Sequence, residues 1–235
     1  MSHLPIVKVG VPTLHRYDLM ARFCLSFAEE KQPCLIPEIT ILDNGGDFLS
    51  SDEGRALMRN DNLPPIRVVV PEYNFGVAKS WNYFAKNLGQ CIISNDDVVM
   101  TTKTIKNFVD AFNCNQDACI IEGSHKNEGF STFFLANAGK WLSLGGFDEC
   151  FYPAYFEDDD TRYRLKIAGF PTVKIDISDW RHDNSSTLHG SDHQYQRSHW
   201  GSFFRNQAYY IQKWGGLPGF EKFVMPFKKS NEFGY

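Results

Sequence analysis

Apolar and polar positions alternate between two periods along the first half of the chain. Residues 6–11 form an apolar run of the kind buried in a sheet, stopped by Pro12. Residues 17–30 place Leu19, Met20, Phe23 and Phe27 at helical spacing. A strand at 39–42 ends in the turn Asp43-Asn44-Gly45-Gly46. The pattern then predicts a short helix within 50–60, a strand at 66–70, a helix over 76–88, a strand at 91–94, a helix over 102–112 and a strand at 118–122. The second half is less regular: a strand at 131–138, a helix over 157–168, a strand at 172–177, an aromatic-rich helix over 194–214, and an extended, partly mobile tail from Pro218 to Tyr235.

Strands alternating with helices over short connections imply an α/β fold, a mostly parallel sheet with helices on both faces. Ligands of such sheets bind outside the carboxyl ends of the strands. Pro12-Thr13, Asp43-Asn44 and Asn95-Asp96-Asp97 each follow a predicted strand directly, so three polar clusters share one sheet edge. No internal repeat is visible, and the chain divides into one domain over 1–190 and a C-terminal helical, aromatic extension over 191–235.

Asp96 and Asp97 end the apolar run Ile92-Ile93-Ser94. Carboxylates are poor strand formers and costly to bury, and a divalent cation against a phosphorylated ligand would justify them. The pair also suits a capped loop. Asp43 has the acceptor atoms to meet a nucleobase, although Asx-Gly sequences make turns without any ligand. Asn74-Phe75-Gly76-Val77-Ala78-Lys79-Ser80-Trp81-Asn82 opens a helix with small residues that permit close approach, free amides that favour anions, and the charge of Lys79. Glu157-Asp158-Asp159-Asp160 begins another helix; the dipole accounts for one or two acids there, and a general base for a further one, those facing solvent being structural. His182 follows a predicted strand. His189 and His193 are four apart, but Gly190 and the lack of a Glu after His189 argue against a zinc helix.

Composition narrows the class. With 43 % hydrophobic and 22 % charged residues the chain is of ordinary globular type, and no apolar run approaches a membrane span. The first residues lack a signal-peptide layout. Six scattered cysteines without CxxC spacing read as free thiols in a reducing compartment, which places the protein in the cytoplasm. Charge is uneven: residues 1–180 carry 17 Lys and Arg against 24 Asp and Glu, and residues 181–235 carry 7 against 4. An acidic body suits a metal site, and a basic tail suits an anionic ligand.

Taken together the motifs resemble the family 2 glycosyltransferases of GT-A fold, particularly their rhamnosyltransferase-like members. The resemblance runs in order over roughly residues 6–190. It rests on Val9-Gly10-Val11-Pro12-Thr13, on Ile41-Leu42-Asp43-Asn44-Gly45-Gly46, on the segment from Asn74 to Asn82, and above all on Leu144-Gly145-Gly146-Phe147-Asp148-Glu149 followed by Tyr155-Phe156-Glu157-Asp158-Asp159-Asp160 and Ala168-Gly169-Phe170.

The resemblance implies inverting transfer of a sugar from a nucleoside-diphosphate sugar to an acceptor hydroxyl. Pro12, Thr13, Asp43, Asn44, Asn74, Gly76, Lys79, Asn82, Asn95 and Asp96 would line the nucleotide. Asp97 would hold Mn2+ or Mg2+ across the diphosphate, with Asp96 and His182 as further ligands. Asp158 is the expected base, with Asp160 the second choice and Glu157 beside them.

Asp159 and Thr161 replace apolar residues usual in that acid motif, and Asn95 stands where many relatives have a third acid. The default acceptor is a saccharide; a protein, a small molecule or a nucleobase hydroxyl in DNA stay open, as does the oligomeric state. Two other readings remain: a degenerate nucleotide- or glycan-binding relative, and a nucleotidyltransferase. The second would need a basic glycine-rich loop where Pro12-Thr13-Leu14-His15-Arg16 stands. Trp200, Phe203, Phe204, Tyr209 and Trp214 are expected either to stack on sugars or bases or to anchor the last helix.

Overall fold

The computed structural model describes residues 6–28, 36–124, 131–176, 181–182 and 193–228. Its strands are β1 (Lys8–Thr13), β2 (Ile39–Asp43), β3 (Ile66–Val69), β4 (Cys91–Ser94), β5 (Val98–Val99), β6 (Ile120–Ser124), β7 (Thr132–Leu135), β8 (Val173–Asp176) and β9 (Arg181–His182). Its α-helices are α1 (Tyr17–Leu25), α2 (Asp52–Leu57), α3 (Gly76–Asn87), α4 (Thr102–Cys114), α5 (Ala138–Ser143), α6 (Glu157–Ile167) and α7 (His193–Trp214).

Seven strands form one sheet in the order β3-β2-β1-β4-β7-β6-β8. All neighbours pair in parallel except at β7, which runs against both β4 and β6. The expected mostly parallel sheet is therefore present. Alternation along each strand feeds two cores. Val9, Ile41, Ile92, Ile121 and Phe134 face α1 and α4 residues such as Phe23 and Phe108. Leu42, Ile93, Ile120 and Phe133 face Trp81, Phe84, Trp141 and Leu165 of α3, α5 and α6. A third cluster, Phe151, Phe156, Tyr163, Tyr210 and Trp214, joins α6 to α7.

Several boundaries differ from the sequence reading. Pro12 does not stop β1: it lies opposite Leu42, beyond Gly10, the last residue of β1 that pairs with β4. A proline is tolerated where one side of the ladder has ended. Helix α1 ends at Leu25, short of residue 30. The strand expected at 131–138 stops at Leu135, and Asn137 caps the unexpected α5 by accepting from Lys140 N–H at 3.0 Å. The small β5–β9 ladder was not expected either.

The tail beyond Trp214 is not extended as far as residue 228. It turns back over the helix end, Lys222 and Phe223 donating to Trp214 C=O and Phe227 to Lys213 C=O. Residues 229–235 and the pair His189 and Gly190 lie outside the described residues. Five described cysteines are free; Cys24, Cys91 and Cys119 are buried, whereas Cys114 and Cys150 are exposed. No helix among the described residues is long and apolar enough to cross a membrane.

Candidate active site

The carboxyl ends of β1, β2 and β4 are joined by hydrogen bonds. Thr13 and Asp43 lie in register, and Asn44 N–H donates to Thr13 C=O at 2.9 Å. Thr13 Oγ1 donates to Asp96 Oδ2 at 2.7 Å, crossing from β1 to the loop after β4. Asp97 follows and is buried, 7 % exposed. The next residue, Val98, pairs through its backbone with His182 of β9, so the ladder brings His182 beside the acid pair; its side chain lies outside the described residues.

Burial pushes the Asp96 carboxyl up to about 7, against the Thr13 hydrogen bond and with the charge of Asp97. Two neighbouring carboxyl groups at a strand end, one of them with a raised pKa, are a donor set that suits a hard divalent cation. Arg16, held by Asp18 at 2.9 Å through both Nε and Nη2, lies within the field of the same pair. Its guanidinium pKa is raised by the Asp18 hydrogen bond first and more weakly by Asp96 and Asp97. Among the described residues no three metal-ligating side chains cluster.

The second acid cluster opens α6. Tyr155 and Phe156 both take left-handed backbone conformations, φ 82° and 71°, which are costly for residues with a Cβ and set the direction of the helix start. Glu157 is buried, and its Oε2 has no hydrogen-bond partner among the described residues. Burial, then the charge of Asp158, raises its pKa well above the usual carboxylate range. Asp159 is pushed up to about 6, by burial and then by Asp158. Arg162, one turn on, donates from Nη1 to Asp158 Oδ2 at 3.3 Å and to Asp159 Oδ1 at 3.4 Å, and from Nε to Glu122 Oε1 at 2.7 Å. Buried Glu122 of β6 also meets Lys174 at 3.2 Å, so Arg162 ties the acid helix to the sheet.

No family model matches the chain, and no curated protein matches it in sequence. Solved structures do match in shape. The mannosyltransferase PcManGT from Pyrobaculum calidifontis, in complex with GDP-Man and Mn2+, has a TM-score of 0.55 at 15 % identity, over 74 % of this chain and 56 % of that one. S. aureus TarS 1-349 has a TM-score of 0.54 at 13 % identity, over 75 % of this chain and 58 % of that one. The same protein in complex with UDP-GlcNAc gives 0.53 at 13 %, over 78 % and 61 %. The fold is the GT-A fold of glycosyltransferases. The chain spans less than two thirds of each of these structures.

Within this GT-A frame the residues expected from sequence divide sharply. Thr13, Asn95, Asp96 and Asp97 meet at one edge, with Asn95 N–H tied to Ser131 C=O at 2.8 Å. Pro12 precedes Thr13 in the same strand. Asp43 is not free to read a base: fully buried, it accepts from Tyr17 O–H and Gly45 N–H at 3.1 Å and from Phe48 N–H at 2.8 Å. Asn44 likewise holds the fold, accepting from Phe75 N–H at 2.8 Å and donating to Ser80 Oγ at 3.2 Å.

The start of α3 is not an open anion site. The amides of residues 75–77 are filled by Asn44 Oδ1, by Asn74 Oδ1 at 2.8 Å, and by Pro153 C=O at 2.7 Å. Gly76 is required there: its φ is +67°, and a Cβ would stand 2.7 Å from Pro153 O. Lys79 donates to the Tyr73 hydroxyl oxygen and lies over the Tyr73 and Phe75 rings, 4.7 and 4.6 Å from their centroids. Asn82 faces the core and braces the 146–149 loop, exchanging hydrogen bonds with the Phe147 backbone at 2.8 Å each way and donating to Glu149 at 2.8 Å.

Asp160 is corrected most firmly. It is wholly buried, with Oδ1 accepting from Trp214 Nε1 at 2.7 Å and from Lys213 at 2.6 Å, and Arg164 lies 3.5 Å from Oδ2. The expectation that solvent-facing acids are the structural ones is reversed: the innermost acid anchors the fold. Asp158 instead keeps 24 % of its side chain exposed.

Of the aromatics expected to stack or anchor, Trp214 is buried and Trp200 and Phe204 are exposed. Sequence reasoning assigned no role to Arg16, Glu122 or Arg162. Arg16 lies three residues beyond Thr13, in a stretch with no motif that marks a charged residue facing the acid pair. Nothing local in sequence marks the partnership of Glu122 with Arg162, forty residues apart. A cavity of about 680 Å3 lies between Asn82, Phe147, Arg164 and Phe227, and another of about 600 Å3 beside Asp117, Lys140, Lys166 and Phe170; neither is lined by the two acid clusters.

Proposed function

We propose that the chain is a metal-dependent, inverting glycosyltransferase that moves a sugar from a nucleoside-diphosphate sugar to an acceptor hydroxyl, a saccharide by default. The observation that carries this reading is the pair of acid sites of a GT-A fold, Asp96–Asp97 after β4 and Glu157–Asp158 at the start of α6. Solved proteins of the same fold in complex with GDP-Man and Mn2+ and with UDP-GlcNAc support it.

The donor diphosphate lies against the carboxyl ends of β1 and β4, where Arg16 adds positive charge. Asp97 and Asp96, with His182, are the residues that would hold Mn2+ or Mg2+. That ion supplies Lewis-acid stabilisation of the leaving diphosphate when bound. Thr13 fixes the Asp96 carboxylate in place.

Asp158 takes the proton of the acceptor hydroxyl. The acceptor oxygen forms a bond to the anomeric carbon as the carbon–oxygen bond to the diphosphate breaks, and the nucleoside diphosphate leaves with the electron pair. One displacement inverts the anomeric centre and forms no covalent sugar–protein intermediate. Arg162 orients Asp158, and the buried neighbour Glu157, held toward its neutral form, adds no second charge to the base.

The test is nucleoside-diphosphate release from a panel of sugar nucleotides, with and without acceptor glycans, read by coupled assay and product mass. Sugar-dependent release that Asp158→Asn abolishes supports the assignment. Nucleotide binding without turnover for every donor would leave a binding protein instead.

A further inference from the structure

Strand β6 carries a carboxylate where its pattern calls for an apolar residue. Ile120 and Glu122 lie on one face of the sheet, the face that α6 covers. Glu122 stands in register with Phe133 of β7 and Lys174 of β8, and it is only 4 % exposed.

Both of its oxygens are engaged. Oε1 accepts from Arg162 Nε at 2.7 Å and from Arg162 Nη2, and Oε2 meets Lys174 Nζ at 3.2 Å. Nη1 is the arm of the guanidinium that reaches back along α6, to Asp158 Oδ2 at 3.3 Å and Asp159 Oδ1 at 3.4 Å. The distances rank these partners: the guanidinium is bound first to Glu122 and only loosely to the two acids. An arginine three and four residues beyond two acids makes weak pairs when nothing else holds it, and here β6 grips it from the other end. Stability alone is a poor reason for the arrangement. Apolar residues of similar size in place of a buried ion pair often leave a fold as stable or more so.

We propose that Glu122 is a positioning residue for sugar transfer. Through Arg162 it sets where the Asp158 carboxylate points and how much positive charge that carboxylate feels. The inference rests on Asp158 as the base of the proposed reaction. Glu122 draws most of the Arg162 charge to itself, so Asp158 is oriented at Oδ2 without being closed into a tight ion pair, and Oδ1 receives the acceptor proton. Lys174 holds the other oxygen of Glu122 and so fixes the group that fixes Arg162. Without the Glu122 charge, Arg162 pairs closely with Asp158 and competes with the acceptor for it.

The experiment is steady-state transfer by the full chain, on the sugar nucleotide and acceptor that the wild type turns over, with melting temperatures alongside. The variants are Asp158→Asn, Glu122→Gln, and Glu122→Leu combined with Arg162→Met. Glu122→Gln is expected to lower kcat by about 10–100-fold with the donor KM kept within about twofold. The double variant keeps an apolar contact between β6 and α6, and it loses kcat to a similar extent at an unchanged or higher melting temperature. A pair that merely braces the fold would do the reverse, lowering the melting temperature while kcat per folded molecule is kept. That result overturns the proposal and leaves the sugar-transfer reading standing. Turnover retained by Asp158→Asn overturns the base assignment and this inference with it, and a wild type that transfers from no donor removes the whole reading.

Discussion

Lys213 Nζ lies 2.6 Å from Asp160 Oδ1, and both side chains are almost wholly withdrawn from solvent. Asp148 completes the arrangement at 2.7 Å from the same ammonium, so one cation joins the 146–149 loop, α6 and α7. Removing one partner of a buried pair leaves the other charge uncompensated, which costs about 3–5 kcal/mol. Asp160→Asn and Lys213→Met are each expected to lower unfolding free energy by that amount, measured in urea, and activity falls only with the folded fraction.

Asp158→Asn is expected to behave in the opposite way. The side chain is partly exposed and its bond to Arg162 is a long one at 3.3 Å, so stability changes by less than about 1 kcal/mol. Turnover drops by about 10²–10⁴-fold with donor affinity retained, as for loss of a general base. Steady-state kinetics beside a denaturation curve separates the two acids.

Asn82→Ala tests whether that residue serves the donor or the fold. Its amide satisfies both the N–H and the C=O of Phe147, and Gly146, at φ +64°, has no room for a Cβ, which would lie 2.6 Å from Asn82 Oδ1. Loss of these buried bonds is expected to cost about 1–3 kcal/mol in thermal or urea unfolding. Affinity for a nucleotide is expected to stay within about twofold, since no donor contact is lost.

The sheet was legible because strand and helix periods differ and each run ended in recognisable turn chemistry. The position of the acid pair directly after β4 was legible for the same reason, because carboxylates stand out at the end of a buried strand. Sequence could not show which acids of a run face inward. Asp160 becomes structural only because α7, some fifty residues on, brings Lys213 and Trp214 to it. Asp43, Asn44 and Asn82 have the donors and acceptors that a ligand would need, and the fold's own backbone uses them first. Short ladders such as β5–β9 carry too few residues to have a period.

Stability without metal should depend on pH in a defined direction. The folded state raises Asp96 from 3.8 to about 7 and Asp159 from 3.8 to about 6, so between these values it holds more protons than the unfolded chain. Stability from these groups is therefore present at about pH 4 and lost as pH rises through 6 and 7. Asp96→Asn is expected to reduce the upper part of that slope, while Glu157, also raised, keeps the remainder. Melting temperatures from pH 4.5 to about 8 in the presence of a chelator read it directly.

The central claim is tested most directly by melting the chain with UDP-, GDP-, CMP- and dTDP-sugars, each with and without Mn2+, beside Asp97→Ala. The account predicts that one nucleotide family raises the melting temperature by several degrees only when the metal is present, and that Asp97→Ala loses the rise. No stabilisation by any donor, or a rise that neither the metal nor Asp97→Ala affects, would contradict it.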